Sequence, residues 1–191
     1  MKEQIRKRFD EHVGSARLAE EHLTSRIVEA VELIVSVYKA SGSVFVFGNG
    51  GSAADAQHIA CELVGRFLIE RRPLKAQALS TDPSILTSLS NDYGYDMVFS
   101  RQIEAQGRDG DVAIGITTSG NSANVVAGLA KARQLGMKTI AMTGCGGGQC
   151  AKLADVLLDV PSGDTPRIQE VHAVIYHVIC EFVEAQLSED A

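Results

Sequence analysis

The chain has no tryptophan, only four prolines and four cysteines in 191 residues, and aromatics make up just 5% of it. Its cysteines (Cys61, Cys145, Cys150 and Cys180) are scattered, and a chain this long needs no disulfide staples. Cys145 and Cys150 flank Gly-Gly-Gly-Gln, a spacing unlike that of a zinc ribbon. No apolar run reaches about 18 residues, so no helical membrane span is expected. The first residues, Met1-Lys2-Glu3-Gln4-Ile5-Arg6-Lys7, lack the apolar core of a signal peptide. A reduced, cytoplasmic protein is therefore the expectation. Excess positive charge is missing too. The net charge of −6 does not favour a nucleic-acid surface, and no helix-turn-helix pattern or basic patch is present.

What is present is glycine, 18 residues of it, and an ordinary 45% of hydrophobic residues. The length suits one domain over 1–191, with a helical N-terminal arm (1–41) and an α/β core (43–187). In the arm, Ile5, Phe9, Val13, Ala16 and Leu18 recur near helical spacing. Thr24 or Ser25 is expected to cap a second helical stretch, Ile27 to Ala40. That stretch is apolar on much of its circumference, as in a helix buried under a sheet or against another subunit. Beyond Gly42, short apolar runs alternate with helical ones. The expected strands are Ser43–Phe47, Ala76–Leu79, Val112–Thr117, Lys138–Thr143 and Val156–Val160. The expected helices are Ala53–Leu68, Ser84–Ser90, Met97–Ala105, Ala123–Leu135, Ala151–Ala154 and Pro166–Leu187. This alternation implies a five-stranded parallel sheet covered on both faces, a three-layer α/β sandwich.

In such folds ligands sit beyond the carboxyl ends of the strands. Three polar connections lie there: Gly48–Ser52, Thr117–Ser122 and Thr143–Gly148. Gly48-Asn49-Gly50-Gly51-Ser52-Ala53 satisfies the dinucleotide pattern, but the second strand ends Ala78-Leu79-Ser80-Thr81 with no ribose-binding acid, and Asp82 is placed to cap the next helix. No nucleotide cofactor is expected. Paired glycines with Asn49 and Ser52 favour another polar ligand. Thr117-Thr118-Ser119-Gly120-Asn121-Ser122 follows a buried strand and opens a helix. Capping by Asn121 or Ser122 accounts for one hydroxyl or amide, not for four hydroxyls around one glycine. The cluster suits a phosphate, and no lysine follows in the P-loop pattern.

His58 and Glu62 are four residues apart and share a helix face, a spacing that fits either metal ligation or acid–base work. The last helix opens Thr165-Pro166-Arg167 and carries Gln169, His172 and His177. His172 and His177 point about 140° apart on a straight helix, so they cannot serve one site together. A satisfied core residue is the plain alternative for His172. His12 and His22 have no partner motif.

The Gly48–Ser52 loop, the Thr117–Ser122 loop and Arg167-Ile168-Gln169-Glu170-Val171-His172 together resemble the sugar isomerase (SIS) domain. With His58-x-x-x-Glu62, Gln169 and His177, the chain is similar to the sedoheptulose-7-phosphate isomerase (phosphoheptose isomerase) family over about residues 1 to 187. The resemblance implies conversion of sedoheptulose 7-phosphate to D-glycero-D-manno-heptose 7-phosphate through an enediol, toward heptose for lipopolysaccharide or other surface glycans. It implies a homotetramer with active sites between subunits, and no nucleic-acid or membrane partner. By the same resemblance, Glu62 is the catalytic base and His177 its partner acid/base. His58, Glu62, Gln169 and His177 match ligands of one Zn²⁺ per subunit. Asn49, Gly50, Gly51, Ser52, Glu62, Asn91, Asp92, Thr117, Thr118, Ser119, Ser122 and Gln169 match substrate-binding positions. The family often has serine where this chain has Thr117, which keeps the hydroxyl. Gln169 and His177 are separated by about 12 Å along one helix, so at least one is expected to reach a neighbouring subunit's Glu62. The alternatives are a non-catalytic SIS adaptor that binds a replication initiator, and an isomerase of another sugar phosphate.

Overall fold

The computed structural model describes residues 1–188. Helix α1 (Lys2–Lys39) leads into β1 (Val44–Gly48), α2 (Gly51–Val64), β2 (Ala76–Ala78), α3 (Pro83–Tyr93) and α4 (Val98–Gln106). Then follow β3 (Val112–Thr117), α5 (Ala123–Gln134), β4 (Lys138–Thr143), β5 (Val156–Asp159) and α6 (Thr165–Ser188). Short 3-10 turns occupy Tyr95–Met97 and Gly148–Leu153, the latter where a helix over 151–154 was expected. The five strands are all parallel, in the order β2-β1-β3-β4-β5.

The three-layer expectation holds because the strand residues alternate between two apolar layers. Val44, Val46, Val112, Ile114, Ile140 and Met142 pack under α1, α2 and α6. Phe45, Phe47, Ala113 and Ala141 pack under α4 and α5. With both faces covered, β1 and β3 are buried along their whole length, which explains their unbroken apolar sequence. Strand order reverses between β1 and β3. The crevice beyond their carboxyl ends is bounded by the turn at 48–51 and the loop at 117–122.

Most other boundaries shift by one to three residues, and two departures have an identifiable physical cause. The arm is one helix of 38 residues, without a break at Thr24 or Ser25. Thr24 Oγ1 bonds back to the Glu20 carbonyl (2.5 Å), the mid-helix use of a threonine hydroxyl. The arm's second half buries Ala30, Val31, Ile34, Val35, Val37 and Tyr38 against the core. Its first half is pinned to the start of α6, where Arg167 donates to the Arg8 carbonyl (2.8 Å) and His12 meets Glu170 (2.9 Å). Helix α2 starts two residues early and stops at Val64 rather than Leu68. The backbone amides of Phe67, Leu68 and Ile69 all go to the Glu184 carboxylate and cannot continue the helix.

His172 is a core residue. It is fully buried, and its Nε2 donates to the Thr143 carbonyl (3.0 Å). Burial pushes its pKa down from the ordinary 6.5 to about 4, partly opposed by that hydrogen bond. The unfolded chain therefore takes up the proton first as pH falls. Its contribution to stability should be whole above pH 6.5 and lost progressively toward pH 4. His172→Gln, which keeps a donor for Thr143, should flatten the fall of the urea midpoint across that window. An unchanged slope would mean that other groups set the acid limit.

Candidate active site

The crevice is built from the turn after β1. Gly50 takes φ +57°, a conformation open to glycine at little cost, and α2 begins at the next residue with no side-chain cap. A Cβ on Gly48 would sit 2.7 Å from both the Ile116 carbonyl oxygen and Ser52 Cβ, so the strand pair can close this tightly only around glycine. Asn49 is fixed by a reciprocal amide pair with buried Asn124 at the start of α5, each Nδ2 donating to the other's Oδ1 at 2.8 Å. The Tyr95 hydroxyl also donates to Asn49 Oδ1 (3.1 Å). One asparagine thus joins β1, α5 and the turn after α3.

On the other wall the hydroxyls cluster as expected. Thr117 Oγ1 is 2.9 Å from Ser122 Oγ and 3.3 Å from Ser119 Oγ, while Ser119 Oγ accepts from the Asn121 amide (3.1 Å). Neither Ser122 nor Asn121 caps α5. Ser122 is at the cap position without a side-chain bond to the helix, and the Asn121 side chain instead links the Ser119 carbonyl to the Gln149 amide. The helix starts of α2 and α5 both present uncapped backbone amides beside these hydroxyls, a setting that favours an anion. The third glycine-rich connection props this loop from behind: the Gly144 amide donates to the Thr118 carbonyl and the Cys150 amide to the Gly120 carbonyl, each at 3.0 Å.

The titratable groups stand along α2 and α6. His58 Nε2 lies 3.0 Å from Glu62 Oε1, and its Nδ1 lies 3.0 Å from the Tyr176 hydroxyl. The His177 ring stands edge-on to that of His58, with centroids 5.0 Å apart. Gln169 is elsewhere: its amide faces Gly51 at the start of α2, where a Cβ on that glycine would collide with it. One chain therefore brings His58, Glu62 and His177 together and keeps Gln169 at the glycine turn. Asn91 and Asp92 are exposed and bonded to each other (2.8 Å), and the tie from their turn to the crevice runs through Tyr95.

Sequence reasoning passed over four residues here. Asn124 and Tyr95 hold Asn49, and Tyr176 holds His58. Asp55, one turn before His58, has a buried Oδ2 without a hydrogen-bond partner. Burial raises its pKa, and the nearby His58 partly counters this. Burial also raises the Tyr176 phenol to about 12, helped by Asp55, so it stays protonated at neutral pH. The spacing Asp55-x-x-His58 was a readable signal. Nothing in its local sequence sets Tyr176 apart from the apolar positions beside it.

Comparison with known proteins identifies the family and the fold. The family model described as the SIS domain matches residues 9–144. A phosphoheptose isomerase of Aquifex aeolicus is 53% identical over 189 residues, covering 99% of each chain. The chain belongs to the phosphoheptose isomerase family of SIS domains. Another member, from a Geobacter species, is 50% identical over 187 residues, covering 98% of this chain and 97% of that protein. The solved phosphoheptose isomerase of Neisseria gonorrhoeae superposes with a TM-score of 0.92 at 44% identity, covering 96% of this chain and 98% of that one. That of Francisella tularensis gives 0.93 at 35% identity, covering 96% and 97%.

The contact between Gly51 and Gln169 gives a direct check on the glycine wall. Gly51→Ala should leave the fold intact, since α2 tolerates alanine, but should push the Gln169 amide away. We expect kcat/KM to fall at least about tenfold, within the loss known for small misplacements in active sites. Unchanged kinetics in a folded variant would remove Gln169 from the site.

Proposed function

We propose that the chain is an aldose–ketose isomerase that converts sedoheptulose 7-phosphate to D-glycero-D-manno-heptose 7-phosphate, for heptose-containing surface glycans. The single observation that carries the reading is the meeting of Glu62, His58 and His177 on two helices of a fold whose crevice loops suit a phosphate. Identity of 53% and 50% to phosphoheptose isomerases over 99% and 98% of the chain supports it over the adaptor alternative.

The reaction moves one proton between neighbouring carbons and another between their oxygens. Glu62 takes the carbon-bound proton and returns it to the adjacent carbon. His177 carries the proton between the two oxygens. Each such transfer is worth about 10²–10⁴ in rate. Thr117, Thr118, Ser119 and Ser122 hold the phosphate with the amides that open α5. Asn49, Gly50, Gly51 and Ser52 line the sugar, with Asn91, Asp92 and Gln169 at its hydroxyls. Tyr176 keeps His58 in the orientation that faces Glu62.

Two imidazoles, a carboxylate and an amide are suitable donors for zinc in kind. Within one chain they are not gathered: Gln169 lies apart, and among the described residues no three His, Cys, Asp or Glu side chains are spaced to hold an ion. We therefore assign Zn²⁺, one per subunit, to His58, Glu62, Gln169 and His177 with at least one donor from a second copy. When bound, it would polarise the carbonyl as a Lewis acid.

The same sharing follows from distances along α2. Glu62 is eleven residues beyond Gly51, about 16 Å along the axis, and so stands far from the glycine wall of its own chain. A second copy has a surface to occupy. Between α1 and α6 runs an apolar groove of about 350 Å³, lined by Ile27, Val28, Val31, Val174, Val178 and Phe182 and holding none of the site residues. Val28 is 50% exposed, Val174 47% and Phe182 52%. An open apolar face of this kind marks an association surface, and the homotetramer is the assembly we propose for it. No helix among the described residues is long and apolar enough to cross a membrane, and a cytoplasmic site of action fits the free thiols.

The direct test is turnover of sedoheptulose 7-phosphate by the purified protein, before and after a chelator, alongside its measured zinc content. Glu62→Gln should abolish turnover while the protein still folds and binds the phosphosugar. Near wild-type activity in that variant would remove Glu62 as the base. Activity lost on chelation and regained with zinc is the result expected of the metal, and full activity in zinc-free protein would refute it. Separately, Phe182→Glu should split the assembly, seen by light scattering, and lower activity with it. Retention of the wild-type mass would place the interface elsewhere.

A further inference from the structure

Below the titratable groups lies a buried ion pair that no step of the reaction uses. Arg71 Nε stands 3.1 Å from Glu184 Oε1, and the side chains are only 5% and 1% exposed. The contact is an ion pair and not a hydrogen bond, and the Nη donors of Arg71 go chiefly to the carboxyl end of α2. Its Nη2 donates to the Glu62 carbonyl (2.8 Å), and its Nη1 to those of Leu63 (3.0 Å), Gly65 (3.1 Å) and Arg72 (3.0 Å). Three of these are the carbonyls that a helix end leaves without partners, and a cation suits that end of the dipole. Glu184 accepts from the amides of Phe67 (2.8 Å), Leu68 (2.5 Å) and Ile69 (2.7 Å).

The turn held in this way leads directly to the site. The Phe67 ring lies 5.7 Å from the His177 ring, inclined at 30°. Burial pushes the Glu184 carboxyl up, but the three amides and Arg71 outweigh it and hold it below the usual carboxylate range. A buried ion pair adds little net stability over apolar residues of the same volume. What this pair supplies is geometry. The backbone beneath Glu62 and the ring beside His177 are both referred to one rigid point on α6.

We propose that Arg71 and Glu184 are positioning residues for proton transfer: Arg71 sets the backbone of Glu62, and Glu184 sets His177 through Phe67. The inference rests on the roles given above to Glu62 and His177. It requires the pair to matter to turnover beyond its effect on stability, because a shift of an ångström or so in a reacting group can cost about 10² in rate.

Three measurements test this. In the unaltered protein, hydrogen exchange at the amides of Phe67, Leu68 and Ile69 should be strongly slowed, although these residues lie outside any helix or strand. Exchange at open-loop rates would show that the clasp does not form in solution and would overturn the proposal without any variant. Glu184→Gln and Arg71→Gln, assayed well below their unfolding temperatures, should each lose about 10² in kcat with KM nearly unchanged. The double variant should fall no further than the worse single one, since the two act as a unit. A purely structural pair would lower the unfolding midpoint and leave the kcat of folded protein unchanged. A wild-type protein inert toward sedoheptulose 7-phosphate, or an active Glu62→Gln, overturns the functional reading as a whole. An active wild type, an inactive Glu62→Gln and a folded, fully active Glu184→Gln overturn the positioning role alone.

Discussion

Helix α6 lies alongside α2 on one face of the sheet, and every titratable group of the site depends on that contact. Gln169 meets α2 at Gly51, and Tyr176 and His177 meet it at His58. The eight residues from Gln169 to His177 and the seven from Gly51 to His58 cover nearly equal lengths of helix, so the two elements run in step. The stripe of Ile168, Val171, Ile175, Ile179 and Val183 that buries α6 supplies the energy for this. The polar residues on its flank are carried into place by apolar packing.

A second constraint meets the first at the crevice. Strand order turns around between β1 and β3, so the loops after them diverge and leave room for a ligand. The Asn49–Asn124 pair ties the two walls together across that gap. Two of the glycines here let backbones approach closely. Gly48 lets the turn close against the Ile116 carbonyl, and Gly120 lets the hydroxyl loop approach Gly147. The hydroxyl-lined wall is thus held by bonds within the chain, whereas the carboxylate and imidazoles stand farther along α2.

Much of this was legible in the residues themselves. Apolar runs and their spacing located all five strands, two of them to the residue, because buried parallel strands have little tolerance for polar side chains. The Asp82 cap was legible as well, and its carboxylate accepts from the Ile85 amide at 2.9 Å. The hydroxyl cluster could be read because four such residues around one glycine exceed what capping requires. Misreadings arose where a local signal lost to a distant partner. Thr24 looked like a cap and lies inside a helix, since burial of the residues after it outweighs the preference of one hydroxyl. The end of α2 was misplaced because Glu184, more than a hundred residues away, takes the amides that would have extended it.

The sequence by itself determined the layer architecture, the phosphate-suited loop and the residue types able to move protons, since these follow from periodicity, glycine content and short-range spacing. Only the tertiary structure decided which of those residues meet. Glu62 and His177 are 115 positions apart, and nothing in their local neighbourhoods specifies that His58 stands between them. That juxtaposition comes from the packing of α6 on α2 and from the buried Arg71–Glu184 pair, both long-range contacts. The same packing leaves Gln169 at the far end of α2 and an apolar groove open along α1. Within one chain the glycine turn with Gln169 and the cluster of His58, Glu62 and His177 therefore stand at separate points along α2.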